Sequence, residues 1–154
     1  MDLEKYETQN EDGHLRYTFI SRGASDIMKI IAFQKLPSTI SFPRIGELMV
    51  YNLAFGDRKG TTLDIDDKIN SNNGDMRKVF NTVLHTIPIF FSKYPKTCIV
   101  VEGSDNKRIR IYCNYVSRNY ETLTEEYTFY GVTGSEITSF VTGTIYKTVV
   151  FLPI

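Results

Sequence analysis

The sequence predicts an α+β protein in which a mostly antiparallel sheet of about five to six strands packs on one long helix (75–94) and on a second helix (104–120). Two observations lead to this prediction. One segment carries apolar residues at helical spacing, and several short runs rich in β-branched and aromatic residues are separated by turn residues. The length of 154 residues fits one domain with a sizeable core, so we predict a flexible tail over 1–13 and a single domain over 14–154.

Three strands are predicted before the long helix. LRYTFIS (15–21) and DIMKIIAFQKL (26–36) follow one another across a short turn, and we interpret them as a hairpin. The third strand is ELMVYNLAFGD (47–57). Between the second and third strands, PSTISFPRIG (37–46) contains two prolines and a glycine, which predicts a loop.

The long helix gives the strongest periodic signal. A set of apolar residues recurs at helical spacing and lies on one helical face: Met76, Val79, Phe80, Val83, Leu84 and Ile87. Pro88 removes a backbone N–H and predicts a kink or a break at that point. The pattern resumes through Phe91 and Tyr94, and Pro95 ends it.

After the long helix, TCIVVEG (97–103) predicts a buried strand, and the next segment fits two patterns. One pattern alternates as in a strand and comprises Ile109, Ile111 and Cys113. The other pattern is longer, has helical spacing and comprises Ile109, Tyr112, Cys113, Val116 and Tyr120. We predict the helix, with Ser104 or Asp105 as its N-cap. EEYTFYGV (125–132) and TIYKTVVFL (144–152) predict the last two strands.

Composition narrows the class of protein. The 18 basic and 18 acidic side chains cancel, so no net charge draws the chain to nucleic acid or to a membrane. The two cysteines, Cys98 and Cys113, lie among apolar residues, and we predict that both are reduced, buried and inert. The polar, acidic N-terminus is unlike a signal peptide, and no apolar run is long enough to span a membrane. We therefore predict a cytoplasmic protein with no membrane partner.

The segment DIDDKINSNNGD (64–75) has the composition of a calcium loop. An EF-hand loop needs a glycine at its sixth position and a bidentate glutamate at its twelfth. With Gly74 in the sixth position, Ile69 stands first and Phe80 stands twelfth, and neither side chain can bind calcium. We expect no calcium site in this segment and no other metal site in the chain.

The end of the same segment predicts a helix cap instead. Asn72, Asn73 and Asp75 are good capping residues for a helix that begins near Met76. A helix N-terminus can also bind an anion, but the carboxylate of Asp75 already complements the positive end of the helix dipole, which argues against an anion there. The sequence contains neither GxxxxGK[ST] nor GxGxxG, so we expect no nucleotide cofactor and no other cofactor.

The strongest candidate for a functional segment is KRIRIYCNYVSRNY (107–120). It holds four basic residues, no acidic residue, and interleaved tyrosines: Lys107, Arg108, Arg110, Arg118, Tyr112, Tyr115 and Tyr120. Basic and aromatic side chains together suit the neutralisation of phosphates and the stacking of bases. In the competing interpretation, the tyrosines are buried and the arginines pair with acidic residues elsewhere.

The candidate site residues come from this segment and from the long helix. The catalytic candidates are Arg108, Arg110, Tyr112 and His85. The ligand-binding candidates are Lys107, Arg118, Asn72 and Asn73. His85 is a general base only if a partner orients it. A cluster of these side chains in one cleft would favour an enzyme, whereas burial in separate places would argue against one.

Three segments resemble, in the same order, a family of small bacterial proteins of unknown function that is common in Bacteroidetes. The segments are YNLAFGD (51–57), INSNNGDMRKVFNTV (69–83) and EGSDNKRIRIY (102–112), and the family patterns are YNLxFGD, SNNGDxxKV and GSxxxRxRLY. The residues that match these patterns are Asn52, Gly56, Asp57, Asn72, Asn73, Gly74, Asp75, Arg108, Arg110 and Tyr112. Ile111 stands where the family has leucine. The resemblance implies no particular activity.

Two functions are compatible with these observations. The first is a non-catalytic interaction or regulatory module that binds a protein partner or associates with itself. One half of a toxin–antitoxin or phage-defence pair would be such a module. The alternative is a metal-independent RNA-acting enzyme or an RNA-binding protein that uses residues 107–120. The absence of a recognisable catalytic motif favours the first function, so we do not expect an enzyme.

Overall fold

The computed structural model describes residues 4–59, 65–66, 74–102 and 106–154, and it is α+β with mostly antiparallel strands, as predicted. The helices are α1 (Met76–Lys93), α2 (Asn106–Arg118) and α3 (Tyr120–Leu123), and Asp12–His14 form a short 3-10 helix. The described strands outnumber the predicted ones: β1 (Gln9–Glu11), β2 (Arg16–Arg22), β3 (Asp26–Phe42), β4 (Gly46–Arg58), β5 (Ile65–Asp66), β6 (Thr97–Glu102), β7 (Tyr127–Thr133), β8 (Glu136–Ser139) and β9 (Thr148–Pro153). The predictions of a long helix and of a second helix are confirmed.

The chain groups into two compact units. The first comprises Met1–Gln34 and Ala54–Pro95, and the second comprises Lys35–Leu53 and Lys96–Ile154. Strands β3 and β4 each contribute residues to both units. A single domain over 14–154 therefore stays a prediction.

In the first unit, α1 packs against β-structure. Strands β1, β2 and β3 are antiparallel neighbours, and β5 pairs antiparallel with the end of β4. The rings of Phe33 on β3 and Phe90 on α1 stack with their centroids 4.4 Å apart. The predicted apolar face of α1 is buried at Val79, Val83 and Ile87, whereas Met76 at its start is exposed. Helical periodicity thus identified the buried face of α1.

In the second unit, β4 and β6 run parallel, and β6, β9, β7 and β8 follow as antiparallel neighbours. One face of this sheet carries a core of buried apolar residues: Phe42, Leu48, Val50, Cys98, Val100, Val150 and Leu152. Helix α2 is buried at Ile109, Cys113 and Val116, three of the residues that its helical spacing predicted. The strand alternative for this segment is therefore wrong.

The N-terminal segment differs from the predicted flexible tail over 1–13. Gln9–Glu11 form β1 and pair with β2, with Gln9 opposite Thr18. The side chain of Asn10 also accepts a hydrogen bond from the backbone N–H of His14, over 2.8 Å. These backbone groups find partners within the protein, whereas the flexibility of the segment stays a prediction.

The loop predicted over 37–46 and the break predicted at Pro88 are also wrong. Residues 37–46 were expected to form a loop, but β3 continues to Phe42 and the turn is confined to the residues before Gly46, whose φ is 100°. Helix α1 passes through Pro88 without a break. Ile87 and Phe90 are buried on either side of Pro88, so core packing stabilises the helix against the loss of one hydrogen bond.

Both cysteines are free and buried, as predicted. Burial raises the pKa of Cys98 to about 11 and also raises the pKa of Cys113. Each thiol is therefore protonated at neutral pH, which makes it a poor nucleophile. None of the helices in the part of the chain that the structure describes is long and apolar enough to cross a membrane.

Candidate functional site

The basic and aromatic segment predicted as a functional site lies on α2 and α3. Arg110 and Arg118 are exposed, and Arg108 and Tyr112 are half-buried. Burial raises the pKa of Tyr115. The ring of Tyr120 stacks on Phe140 with 6.1 Å between the centroids, so it packs within the protein. The side chain of Lys107 lies outside the described residues.

The predicted catalytic residues do not belong to one unit. His85 is exposed on α1 in the first unit, whereas Arg108, Arg110 and Tyr112 belong to the second. Asn72 and Asn73, together with most of the segment examined for calcium binding, lie outside the described residues. Within the described ranges, no three His, Cys, Asp or Glu side chains are grouped as metal ligands would be.

The first unit holds a network of polar side chains around Asp75, the residue before α1. One carboxylate oxygen of Asp75, Oδ2, accepts hydrogen bonds from the hydroxyls of Tyr6 and Ser21, each over 2.5 Å. Ser21 is fully buried on β2. Asp75 therefore joins the N-terminal segment and β2 to the start of α1.

Asp57, at the end of the YNLAFGD segment, belongs to the same network. It forms an ion pair with Lys29 of β3, and the two side chains are only 10% and 13% exposed. Lys29 also affects Asp75, the aspartate of the INSNNGD segment, because the positive charge of Lys29 lowers the pKa of Asp75. Lys29 thus links the aspartates of two segments that were singled out in the sequence.

The predicted role of Asp75 as a side-chain helix cap is wrong. Asp75 occupies the N-cap position of α1, but its side chain makes no capping hydrogen bond. The carboxylate is instead occupied by the hydroxyls of Tyr6 and Ser21. Burial by itself would raise the pKa of Asp75, but the hydrogen bonds from Ser21 and Tyr6 and the charge of Lys29 bring it below its ordinary value.

Tyr6 fastens the N-terminal segment to α1 and β2. Its backbone N–H donates to the hydroxyl of Thr82 over 2.8 Å, and its own hydroxyl accepts from the backbone N–H of Arg22 over 2.9 Å. Its ring stacks on Phe19 with centroids 5.5 Å apart. The ammonium of Lys78 lies 4.3 Å from the ring centroid, close enough for a cation–π interaction. Tyr6 was missed because its position in a polar segment gave no periodic signal.

An open pocket of about 460 Å³ lies beside this network. Its lining comes from the N-terminal segment, β2 and the start of α1, and comprises Glu4, Tyr6, Arg22, Gly74, Asp75, Arg77, Lys78 and Asn81. Asn81 donates to the backbone oxygen of Glu4 over 3.1 Å, which fixes the N-terminal wall. The volume falls within the range of small-molecule sites. The pocket is therefore the candidate functional site of the first unit.

We expect Asp75→Asn to lower the free energy of unfolding by about 1–2 kcal/mol at neutral pH, because two hydroxyl donors lose a charged acceptor. The pKa of Asp75 is lower in the folded protein than its ordinary value of 3.8. Its contribution is therefore present above 3.8 and is lost as the pH falls through the lower folded value. Urea unfolding of the wild type and of Asp75→Asn from neutral to acidic pH should show that the difference between their free energies of unfolding shrinks. A difference that persists at the acidic end would contradict this assignment.

Residues 2–152 match the model of a protein family that is described as a family of unknown function (DUF6934). The match confirms the predicted membership of a family of unknown function. No curated protein and no solved structure matches the chain.

Proposed function

We propose a binding function for this chain, which belongs to the family of unknown function DUF6934. It acts as a non-catalytic regulatory module, and the pocket between the N-terminal segment and the start of α1 binds a small ligand that carries a phosphate group. The observation that carries this proposal is the charge of the pocket lining. The lining holds three basic residues, Arg22, Arg77 and Lys78, and two acidic ones, Glu4 and Asp75, and the carboxylate of Asp75 is occupied by hydroxyl donors.

The basic side chains that line the pocket differ in the contacts they make with the rest of the protein. Arg77 is exposed and has no ion-pair partner among the residues that the structure describes. Lys78 lies over the ring of Tyr6, and among the residues that the structure describes its ammonium forms no ion pair with a carboxylate. Arg22 pairs with Asp26, but both side chains are 63% exposed, so this pair is weak. An incoming phosphate is therefore free to form charge-assisted hydrogen bonds with the cations of this lining.

The state of the carboxylates favours binding over catalysis. A general base must be free to accept a proton from its substrate, and its pKa must lie near the working pH. Asp75 already accepts two hydrogen bonds, and its pKa is lowered. Asp57 is engaged by Lys29. Both carboxylates therefore suit a structural role that positions the pocket.

The RNA hypothesis keeps part of its support. Arg110 and Arg118 are exposed on α2 with Asn114 between them, at the spacing that aligns side chains along one helical face. This stripe suits phosphate contacts, but Tyr115 and Tyr120 are half-buried and the ring of Tyr120 stacks on Phe140, which leaves less of these rings for base stacking. Pairing with a toxin–antitoxin or phage-defence partner and a cytoplasmic location also stay predictions.

The pocket is tested by titrating the protein with inorganic phosphate and pyrophosphate, followed by NMR chemical shifts. We expect saturable shifts at the start of α1 and at Tyr6. Arg77→Ala combined with Lys78→Ala should raise the dissociation constant about tenfold or more, since each charge-assisted hydrogen bond contributes about 1.5–3 kcal/mol.

A matched control is Arg110→Ala combined with Arg118→Ala, which removes the same number of positive charges from α2. This control should leave the dissociation constant unchanged. Absence of saturable shifts in the wild-type protein would contradict the proposal. An equal loss in the α2 variant would favour the α2 hypothesis instead.

A further inference from the structure

Strand β8 (Glu136–Ser139) lies at an open edge of the second unit. It pairs with β7, with Val132 opposite Ile137, and it has no second neighbour among the described strands. All four of its residues are exposed. An edge strand presents unpaired N–H and C=O groups, which makes it a template for another strand.

Apart from its short length, the edge lacks the features that usually block such pairing. Lysine, proline and inward-pointing charges discourage edge association, but β8 contains only one charged residue, Glu136, and no proline. Its Ile137 is 38% exposed. The following loop adds Val141 and Ile145, which are 60% and 41% exposed. The edge therefore combines free backbone groups with exposed apolar side chains.

The loop is held in this conformation by its own hydrogen bonds. The backbone N–H of Phe140 donates to the oxygen of Phe129 over 3.1 Å, and that of Val141 donates to the hydroxyl of Tyr146 over 3.0 Å. The backbone N–H of Gly143 donates to the hydroxyl of Ser117 on α2 over 2.9 Å. These bonds keep the apolar side chains of the loop at the surface, so a partner need not order the loop on binding.

The charge pattern of β8 is compatible with a second copy of the chain as the partner. In an antiparallel pair of β8 strands centred on Ile137, Glu136 lies opposite Thr138 of the second copy and not opposite another glutamate. The two Ile137 side chains then face each other. The net charge of the chain is zero, so two copies do not repel each other at long range. Antiparallel pairing about a twofold axis uses the same surface of both copies.

We propose that β8 and the loop that carries Val141 and Ile145 form the interface of a homodimer, in which two β8 strands pair antiparallel across a twofold axis. The paired backbone satisfies the open edge, and the exposed apolar residues of the two copies cover one another. The strand is short, so the apolar residues contribute a large share of the association.

Sedimentation velocity over a range of concentrations tests this interface. We expect a concentration-dependent equilibrium between monomer and dimer for the wild-type protein. Ile137→Lys should raise the dimer dissociation constant about tenfold or more, because it places two positive charges face to face. Val141→Asp, a change in the exposed loop, should weaken the dimer independently of the strand.

Met49→Lys is the matched control, because Met49 on β4 is 38% exposed, the same as Ile137. It should leave the dimer unchanged, and circular dichroism should show that all three variants are folded. A wild-type protein that stays monomeric at every concentration overturns the proposal. So does a dimer that Ile137→Lys and Val141→Asp leave intact, or one that Met49→Lys weakens to the same extent.

Discussion

Asp57→Ala is expected to lower the free energy of unfolding by about 3–5 kcal/mol, because it removes the carboxylate that pairs with the largely buried ammonium of Lys29. Lys29 is 13% exposed, so water compensates little of the lost interaction. Replacing the residue also removes a side-chain contact between the neighbouring strands β4 and β3. Equilibrium unfolding in urea measures the loss directly.

The matched control for this substitution is Asp26→Ala. Asp26 also forms an ion pair, with Arg22, but both side chains are 63% exposed. Its removal should cost less than about 1 kcal/mol. A second comparison is the double variant Asp57→Ala with Lys29→Met, which removes both charges and should recover much of the stability. A loss from Asp57→Ala as small as that from Asp26→Ala would contradict the buried ion pair.

The parts of the fold that follow from local pattern could be predicted from the sequence. The apolar spacing of Val79, Val83 and Ile87 identified α1 and its buried face, and that of Ile109, Cys113 and Val116 identified α2. Strands β1, β5 and β8 could not be predicted in this way. Each is short, and what makes it a strand is its pairing with a neighbour, which local composition does not record.

The candidate site likewise combines residues that could be predicted from the sequence with contacts that could not. The sequence singled out Asp57 and Asp75, but it did not reveal their partners. The hydroxyl of Tyr6 reaches Asp75 across 69 positions of the chain, and Lys29 reaches Asp57 across 28. Residues so far apart are brought together only by tertiary packing.

The error over the capping role of Asp75 has a specific physical cause. The capping rule considers only the amides that follow a residue in the chain. Ser21 is fully buried on β2, and its hydroxyl needs an acceptor because an unsatisfied buried donor is costly. Asp75 supplies that acceptor. A tertiary demand therefore outweighs the local preference, although the carboxylate stays beside the start of α1 and lines the pocket.

Tyr146 links the core of the second unit to the loop that follows β8. Its hydroxyl accepts from the backbone N–H of Val141, and its backbone N–H and oxygen bond the thiol of Cys113 on α2. Its ring is buried and lies against Gly131 on β7, where a Cβ atom would overlap the ring. Glycine is required at this position for space and not for a positive φ.

Gly131→Ala is therefore expected to lower the free energy of unfolding by about 3 kcal/mol, the upper end of the usual cost of overpacking, because a buried aromatic ring has little room to move. Displacement of Tyr146 would also loosen the loop that carries Val141, so the variant should dimerise less well if β8 forms the interface. Urea unfolding of Gly131→Ala, Tyr146→Leu and the double variant separates the overlap between the added Cβ and the Tyr146 ring from any other cost of the substitution. In the Tyr146→Leu background the added methyl group should cost less than about 1 kcal/mol, which gives a coupling energy of about 2 kcal/mol between the two sites. Equal costs of Gly131→Ala in both backgrounds would show that the ring is not what excludes a side chain from this position.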